Sequence, residues 1–306
     1  MKNILIIGSS GFIGSSLATS FDCDKSLSNI ILLDKKPPIG NMGSKVKFFI
    51  GNYGNKKIIS DILHRFTINS IFLCSYQLNP DSSYSEYVKF KKFEILNFKT
   101  LIEQIKNQKN CTPTIYYFSS GGCIYGDLKD RELYKFNENS DLYPANYYGK
   151  FKLIFEEAVK NSGLDYVIFR PSNVFGINNK KCLITNALIN VISNKRITIW
   201  GTGDNVRDFI YINNFTQYVK KVYKSNIKNE TFNIASGKSY SVMQILKIIK
   251  ISLLKYGYNL RFTIDEKRFC DVGISRICNK KISNLVKVKK TSLEDSIDLM
   301  VRSLLN

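Results

Sequence analysis

The chain has 306 residues, 44% apolar and 23% charged, enough to bury the core of one large α/β domain or of one domain with a smaller appendage. Its seven cysteines (23, 74, 111, 123, 182, 270 and 278) are scattered, odd in number and without a Cys-x-x-Cys pair, which argues against a disulfide framework or a zinc site and for a reducing cytoplasm. The net charge of +20 is dispersed, with only short clusters at Lys89–Lys92 and Lys287–Lys290, so it lacks the localised patch of a nucleic-acid-binding module.

A basic chain would still attract an anionic substrate. No apolar run approaches the ~18 residues that span a membrane, and the apolar part of Met1–Gly8 is too short for a signal peptide. His64, the single histidine, follows Ile62-Leu63 on an expected helix. One such histidine leaves almost no room for a Ser-His-Asp triad or a histidine metal site, and no metal is expected.

Ile4–Ile7 is a continuous apolar run of the kind a buried parallel strand shows. It leads into Gly8-Ser9-Ser10-Gly11-Phe12-Ile13-Gly14, a glycine spacing that fits a phosphate-binding turn. Such glycines let backbone N–H groups approach a pyrophosphate at a helix N-terminus. The candidate cofactor contacts here are Gly8, Gly11, Phe12, Ile13 and Gly14. A second apolar run, Ile30–Leu33, ends in Asp34, placed after the glycine turn where a carboxylate takes the adenosine ribose hydroxyls. A carboxylate there repels a 2′-phosphate, which favours NAD over NADP.

Val46–Ile50 is expected as a third strand, ending in Gly51-Asn52-Tyr53, and Ser70–Cys74 as a fourth, followed by a polar segment through Glu86. A helix is expected over Phe93–Asn107 and a fifth strand over Thr114–Phe118, running into Ser119–Gly126. Strands alternating with helices predict an α/β, doubly wound parallel sheet with ligands at the carboxyl ends of its strands. The glycine turn, Asp34 and Ser119–Gly126 all follow strand ends and are expected to converge on one cleft. A further helix is expected to begin near Tyr147, after Pro144 and Asn146, with Phe151, Ile154, Phe155 and Ala158 at helical spacing. On it Tyr148 and Lys152 are four apart and share a face. An ammonium beside a phenol favours the phenolate, so the pair is a candidate acid/base device.

With these motifs in order, the chain resembles the extended short-chain dehydrogenase/reductase family, in particular NAD-dependent nucleotide-sugar epimerases and dehydratases. The likeness runs through Gly8, Gly11 and Gly14, Asp34, and Asn97 of Asn97-Phe98-Lys99-Thr100. It continues through Ser119–Gly126, Tyr148 with Lys152, Phe169–Gly176, Trp200–Tyr211, Phe232–Gly237 and Arg268–Val272. The resemblance implies a Rossmann domain over residues 1–171, with 206–236 returning to it. It also implies a smaller, mostly C-terminal nucleotide-sugar-binding lobe from 172–205 and 237–306. It places NAD on Gly8, Gly11, Phe12, Ile13, Gly14, Asp34, Asn52, Asn97, Ser119, Tyr148 and Lys152. The nucleotide sugar falls to Asn173, Arg207 and Arg268, whose two arginines suit a diphosphate because the guanidinium donates paired hydrogen bonds.

Three departures bear on the reaction. Gly121 stands where epimerases carry a serine or threonine that assists the tyrosine, so Ser120 or a water is expected to take that role. Gly122 and Cys123 replace the Asp-Glu pair of the dehydratases, which argues against a 4,6-dehydratase. Asn52 replaces a frequent aspartate facing adenine, and its amide oxygen can accept the same bond. The resemblance implies epimerisation at C4 of a UDP-hexose through a transient 4-keto sugar, with Tyr148, Lys152 and Ser120 as catalytic residues. It also implies a homodimer formed by helices near 93–107 and 145–160. A 4-keto-sugar reductase and a non-catalytic dinucleotide- or RNA-binding family member stay open as alternatives.

Overall fold

The computed structural model describes residues 2–38, 42–108, 112–128, 134–266 and 272–305. In chain order the elements begin with β1 (Lys2–Ile7), α1 (Phe12–Asp22), β2 (Leu27–Asp34), β3 (Val46–Ile50), α2 (Lys56–Arg65), β4 (Ile68–Leu73), α3 (Tyr84–Lys106), β5 (Thr114–Phe118) and the single turn α4 (Gly121–Ile124). Next come α5 (Tyr147–Lys160), β6 (Tyr166–Pro171), β7 (Asn173–Phe175), α6 (Leu183–Ile192), β8 (Ile197–Trp200), β9 (Val206–Tyr211) and α7 (Ile212–Ser225). The last are β10 (Glu230–Ile234), β11 (Ser239–Ser241), α8 (Val242–Leu254), β12 (Phe262–Asp265), α9 (Lys280–Leu285) and α10 (Leu293–Leu305). Among the described residues no helix is long and apolar enough to cross a membrane.

The central sheet has seven strands in the order β10-β6-β5-β4-β1-β2-β3. β1 pairs in parallel with β2 and β4, and the pairs β2–β3, β4–β5 and β5–β6 are parallel as well. The chain first winds outward from β1 to β3, then restarts beside β1 with β4 and winds the other way. That reversal opens a crevice at the carboxyl ends of β1 and β4, where doubly wound sheets bind ligands.

Side-chain caps explain several helix starts. Asn55 accepts from Lys57 and Ile58 N–H ahead of α2, Asn146 accepts from Gly149 N–H ahead of α5, and Ser241 with Gln244 boxes the start of α8. α3 begins at Tyr84, well before the expected Phe93, because Ser83 and Glu86 form a reciprocal capping box. The polar residues that read as a loop are the helix-start signal itself.

The chain divides into two compact units. The first comprises Met1–Ser119, Asn146–Phe169 and Val219–Phe232. Its core packs Leu5, Ile31, Ile71 and Ile115 of the sheet against Phe98, Leu101, Phe151 and Phe155 of α3 and α5. Burying such side chains contributes about 1.5–3 kcal/mol each.

The second unit comprises Ser120–Ala145, Arg170–Tyr218 and Asn233–Asn306. Here β11, β9 and β7 form a three-stranded sheet and β12 pairs with β8. Its core draws Ile184 and Leu188 from α6, Ile245 and Ile249 from α8, and Ile297 and Met300 from α10. Of residues 206–236, β10 joins the central sheet, whereas β9 pairs with β7 and β11. Asp208 on β9 is buried and accepts from Ser172 Oγ (2.8 Å), Ser236 N–H (2.8 Å), Ser236 Oγ (2.9 Å) and Gly237 N–H (2.8 Å). Burial raises its carboxyl pKa and those four bonds oppose the rise. This aspartate ties the junction of β6 and β7 and the turn after β10 to β9.

Candidate functional site

The glycine turn joins β1 to α1. Gly8 has φ +80°, and a Cβ there would lie 2.4 Å from Ser75 N. A Cβ on Gly14 would lie 2.2 Å from Gly8 O, so α1 rides directly on the turn. α1 starts after Gly11, and among the described residues no side chain caps it. Its first N–H groups, including those of the half-buried Phe12 and Ile13, are therefore left to another acceptor, and an anion suits them.

Asp34 closes β2 beside this turn. Its Oδ2 accepts Ser10 N–H at 2.8 Å and its Oδ1 accepts Lys35 N–H at 2.6 Å, which fixes the carboxylate at the lip of the groove. The groove is lined by Gly8, Gly11, Asp34, Asn52, Tyr76 and Glu94, among others. Asn52 turns its Oδ1 back onto Gly54 N–H at 2.8 Å, and Asn97 packs on the same turn, where a Cβ on Gly54 would meet Asn97 Oδ1. Burial holds the Cys74 thiol well above its ordinary range, so the groove wall there is neutral.

Lys152 stands one turn along α5 from Tyr148 and is only 4% exposed. Its Nζ donates to Phe118 O at 2.7 Å and lies 4.1 Å from the ring centroid of Tyr76, 5.1 Å from that of Tyr117 and 5.6 Å from that of Tyr148. The Tyr76 and Tyr148 rings are 5.0 Å apart. A buried ammonium is costly unless something compensates it, and here a carbonyl and three aromatic faces do so. Tyr76 escaped the sequence reading, although its place just past the end of β4 is where such a sheet puts functional residues.

Within the first unit the structure thus gathers the glycine turn, Asp34 and Asn52 on one groove, with Asn97 packed behind the turn at Asn52. Tyr148, Lys152 and the end of β5 form a second cluster, and Tyr76 and Cys74 belong to the groove wall. Ser120, Asn173 and Arg207 belong to the second unit. There a Cβ on Gly121 would lie 3.1 Å from Arg170 O and 3.2 Å from Pro171 O, so backbone crowding goes with the absent side chain. Ser120 is buried at the start of α4. Asn173 Nδ2 donates to Asp208 O at 3.0 Å. Arg207 Nη1 donates to Val206 O and Gly273 O, each at 2.9 Å, and Nη2 donates to Val272 O. Arg268 lies outside the described residues.

A family model for the NAD-dependent epimerases and dehydratases matches residues 4–235, from β1 to the end of β10. The chain belongs to the NAD-dependent epimerase/dehydratase family. It is 29% identical over 272 residues to a dTDP-D-glucose 4,6-dehydratase of Dictyostelium discoideum, covering 83% of this chain and 63% of that protein. It is 26% identical over 316 residues to a provisionally named UDP-glucose 4-epimerase of Methanocaldococcus jannaschii, covering 99% of this chain and 98% of the relative. Among solved structures, a UDP-glucose 4-epimerase of Thermotoga maritima with UDP-glucose shares the fold with a TM-score of 0.86 at 24% identity, over 99% of this chain and 100% of that one.

The family's cofactor is NAD, and the residues present fit it. The uncapped start of α1 suits a pyrophosphate and Asp34 suits ribose hydroxyls. Ser9 Oγ on the turn, Asn97 Nδ2 on α3 and Ser119 Oγ at the end of β5 are buried without a hydrogen-bond partner among the described residues. A polar ligand laid along the turn would complete the bonding of such atoms.

Proposed function

We propose that this family member interconverts the C4 epimers of a nucleotide-activated hexose, a UDP-hexose, through a transient 4-keto sugar. The observation that carries the reading is the Tyr148–Lys152 pair in the absence of any carboxylate at Gly122 or Cys123. Removing water from C5 and C6 of the sugar needs a second acid/base pair. Inverting C4 needs one group that takes the hydroxyl proton and returns it, the role we assign to Tyr148.

NAD, when bound, supplies the reversible hydride chemistry. The chain's own residues do the rest. Lys152 keeps a positive charge beside the Tyr148 ring, which favours the phenolate, and orients the nicotinamide ribose. Tyr148 Oη accepts the proton of the sugar 4-hydroxyl and gives it back after the keto sugar turns over. Ser120 assists that transfer. Asn173, Arg207 and Arg268 hold the nucleotide diphosphate, the arginines through paired donors. A cytoplasmic homodimer is part of the reading, supported by Leu96 on α3 and Ile154 on α5, which are exposed apolar side chains on neighbouring helices.

Mass spectrometry of the small molecules released on denaturing freshly purified protein tests the proposal. Retained NAD is expected, because an epimerase recycles its cofactor and need not release it. A protein that emerges empty and takes up NAD(P)H only when it is added would contradict the epimerase reading and favour a 4-keto-sugar reductase.

A further inference from the structure

We propose that Glu94 recognises the adenine base of the cofactor by accepting a hydrogen bond from its exocyclic amine. The inference rests on the NAD cradle and not on the epimerase reading. A dinucleotide with its pyrophosphate at the start of α1 and its adenosine ribose on Asp34 carries its base past Asp34, toward the end of β3. That end of the groove is lined by Lys35, Gly51, Asn52, Tyr53, Phe93 and Glu94. Phe93 is 39% exposed there and presents an aromatic face with Lys35 Nζ 5.9 Å from its centroid. A flat apolar wall suits a purine ring.

The polar groups at this end differ in what they can offer. Lys35 can only donate. Asn52 spends its oxygen on Gly54 N–H at 2.8 Å, which weakens it as a substitute for an aspartate. Glu94 is 3% exposed, lines the groove from α3, and receives the Tyr53 hydroxyl proton on Oε2. Among the described residues its Oε1 takes no hydrogen bond. Burial pushes the carboxyl pKa above its ordinary range, while the Tyr53 bond and the charges of Lys152 and Lys35 oppose the rise. A carboxyl group held in so dry a place with one oxygen unspent is completed by a donor from the groove. Adenine supplies such a donor at its 6-amino group, and hypoxanthine presents a 6-oxo acceptor in the same place.

The test is equilibrium binding of NAD and of nicotinamide hypoxanthine dinucleotide to the full chain, freed of cofactor and measured without any sugar nucleotide. The chain is expected to bind NAD about tenfold or more tightly than the hypoxanthine analogue, the scale of a buried acceptor left without its donor. Glu94→Gln puts an N–H2 donor in place of one acceptor oxygen, which can serve the 6-oxo group, and should erase most of that preference. The double variant Tyr53→Phe with Glu94→Met removes both partners of the buried bond, and its two affinities should fall within about threefold of each other. Equal affinity of the unmodified chain for the two dinucleotides would overturn the proposal whatever the variants do. So would a double variant that keeps the full preference, since Glu94 would then serve only to tie α3 to the end of β3. Binding of neither dinucleotide would remove the NAD cradle itself, an outcome distinct from both.

Discussion

Tyr148→Phe is expected to lower turnover of the sugar nucleotide by about 10²–10⁴-fold, the usual contribution of a positioned acid/base group. The substitution removes one oxygen and keeps the ring that lies 5.0 Å from that of Tyr76 and flanks Lys152. Lys152 retains its bond to Phe118 O, so the buried ammonium is not orphaned. Sugar-nucleotide affinity, read by calorimetry beside the kinetic assay, should therefore stay within about twofold while the rate collapses. A Phe variant with full turnover would show that the tyrosine is part of the helix surface and nothing more.

The second large effect belongs to the glycine turn. Gly8→Ala should destabilise the protein by about 2–4 kcal/mol and abolish measurable NAD binding. The residue sits at φ +80°, and the added Cβ would lie 2.4 Å from Ser75 N and 2.6 Å from Ser75 Cα. Both are backbone atoms that no rotamer change can move aside, so the ends of β1 and β4 must separate where the cofactor would lie. Gly257→Ala is the control. It has a similar φ, +79°, with no described atom within 4 Å of the added Cβ. Thermal melts with and without NAD separate the two: the cofactor should raise the melting temperature of the Gly257 variant and leave that of the Gly8 variant unchanged.

The features to which the proposal gives chemistry were legible in the sequence because they are local. A glycine turn, the carboxylate that closes β2 and a four-residue Tyr–Lys spacing each declare themselves within a few residues, and the structure places each at the carboxyl end of the sheet or on α5. What escaped was of two kinds. The first turns of α3 were hidden because Ser83 and Glu86 stabilise a helix start with the same polar residues that a loop would use. The environment of Lys152 and the Tyr53–Glu94 bond were hidden because they join residues far apart in the chain. Tyr76 is separated from Lys152 by α3, β5 and α4, and no periodicity links them. The strand at Val206–Tyr211 illustrates the same limit. Its motif was recognisable, but its partners β7 and β11 are set by tertiary pairing. Within that motif Asp208 proves to be the knot of a hydrogen-bond network, and Arg207 lays part of its guanidinium on backbone carbonyls.

Inversion of C4 by one proton-transferring tyrosine leaves the cofactor with no net change. Supplying the protein, loaded with NAD, with UDP-glucose deuterated at C4, and following sugar and cofactor together by NMR, reads both at once. The expected product is the 4-epimer, with the deuterium retained at C4 and no net NADH formed. A 4-keto-6-deoxy sugar as the accumulating product, or conversion that occurs only with stoichiometric oxidation or reduction of the cofactor, would contradict it.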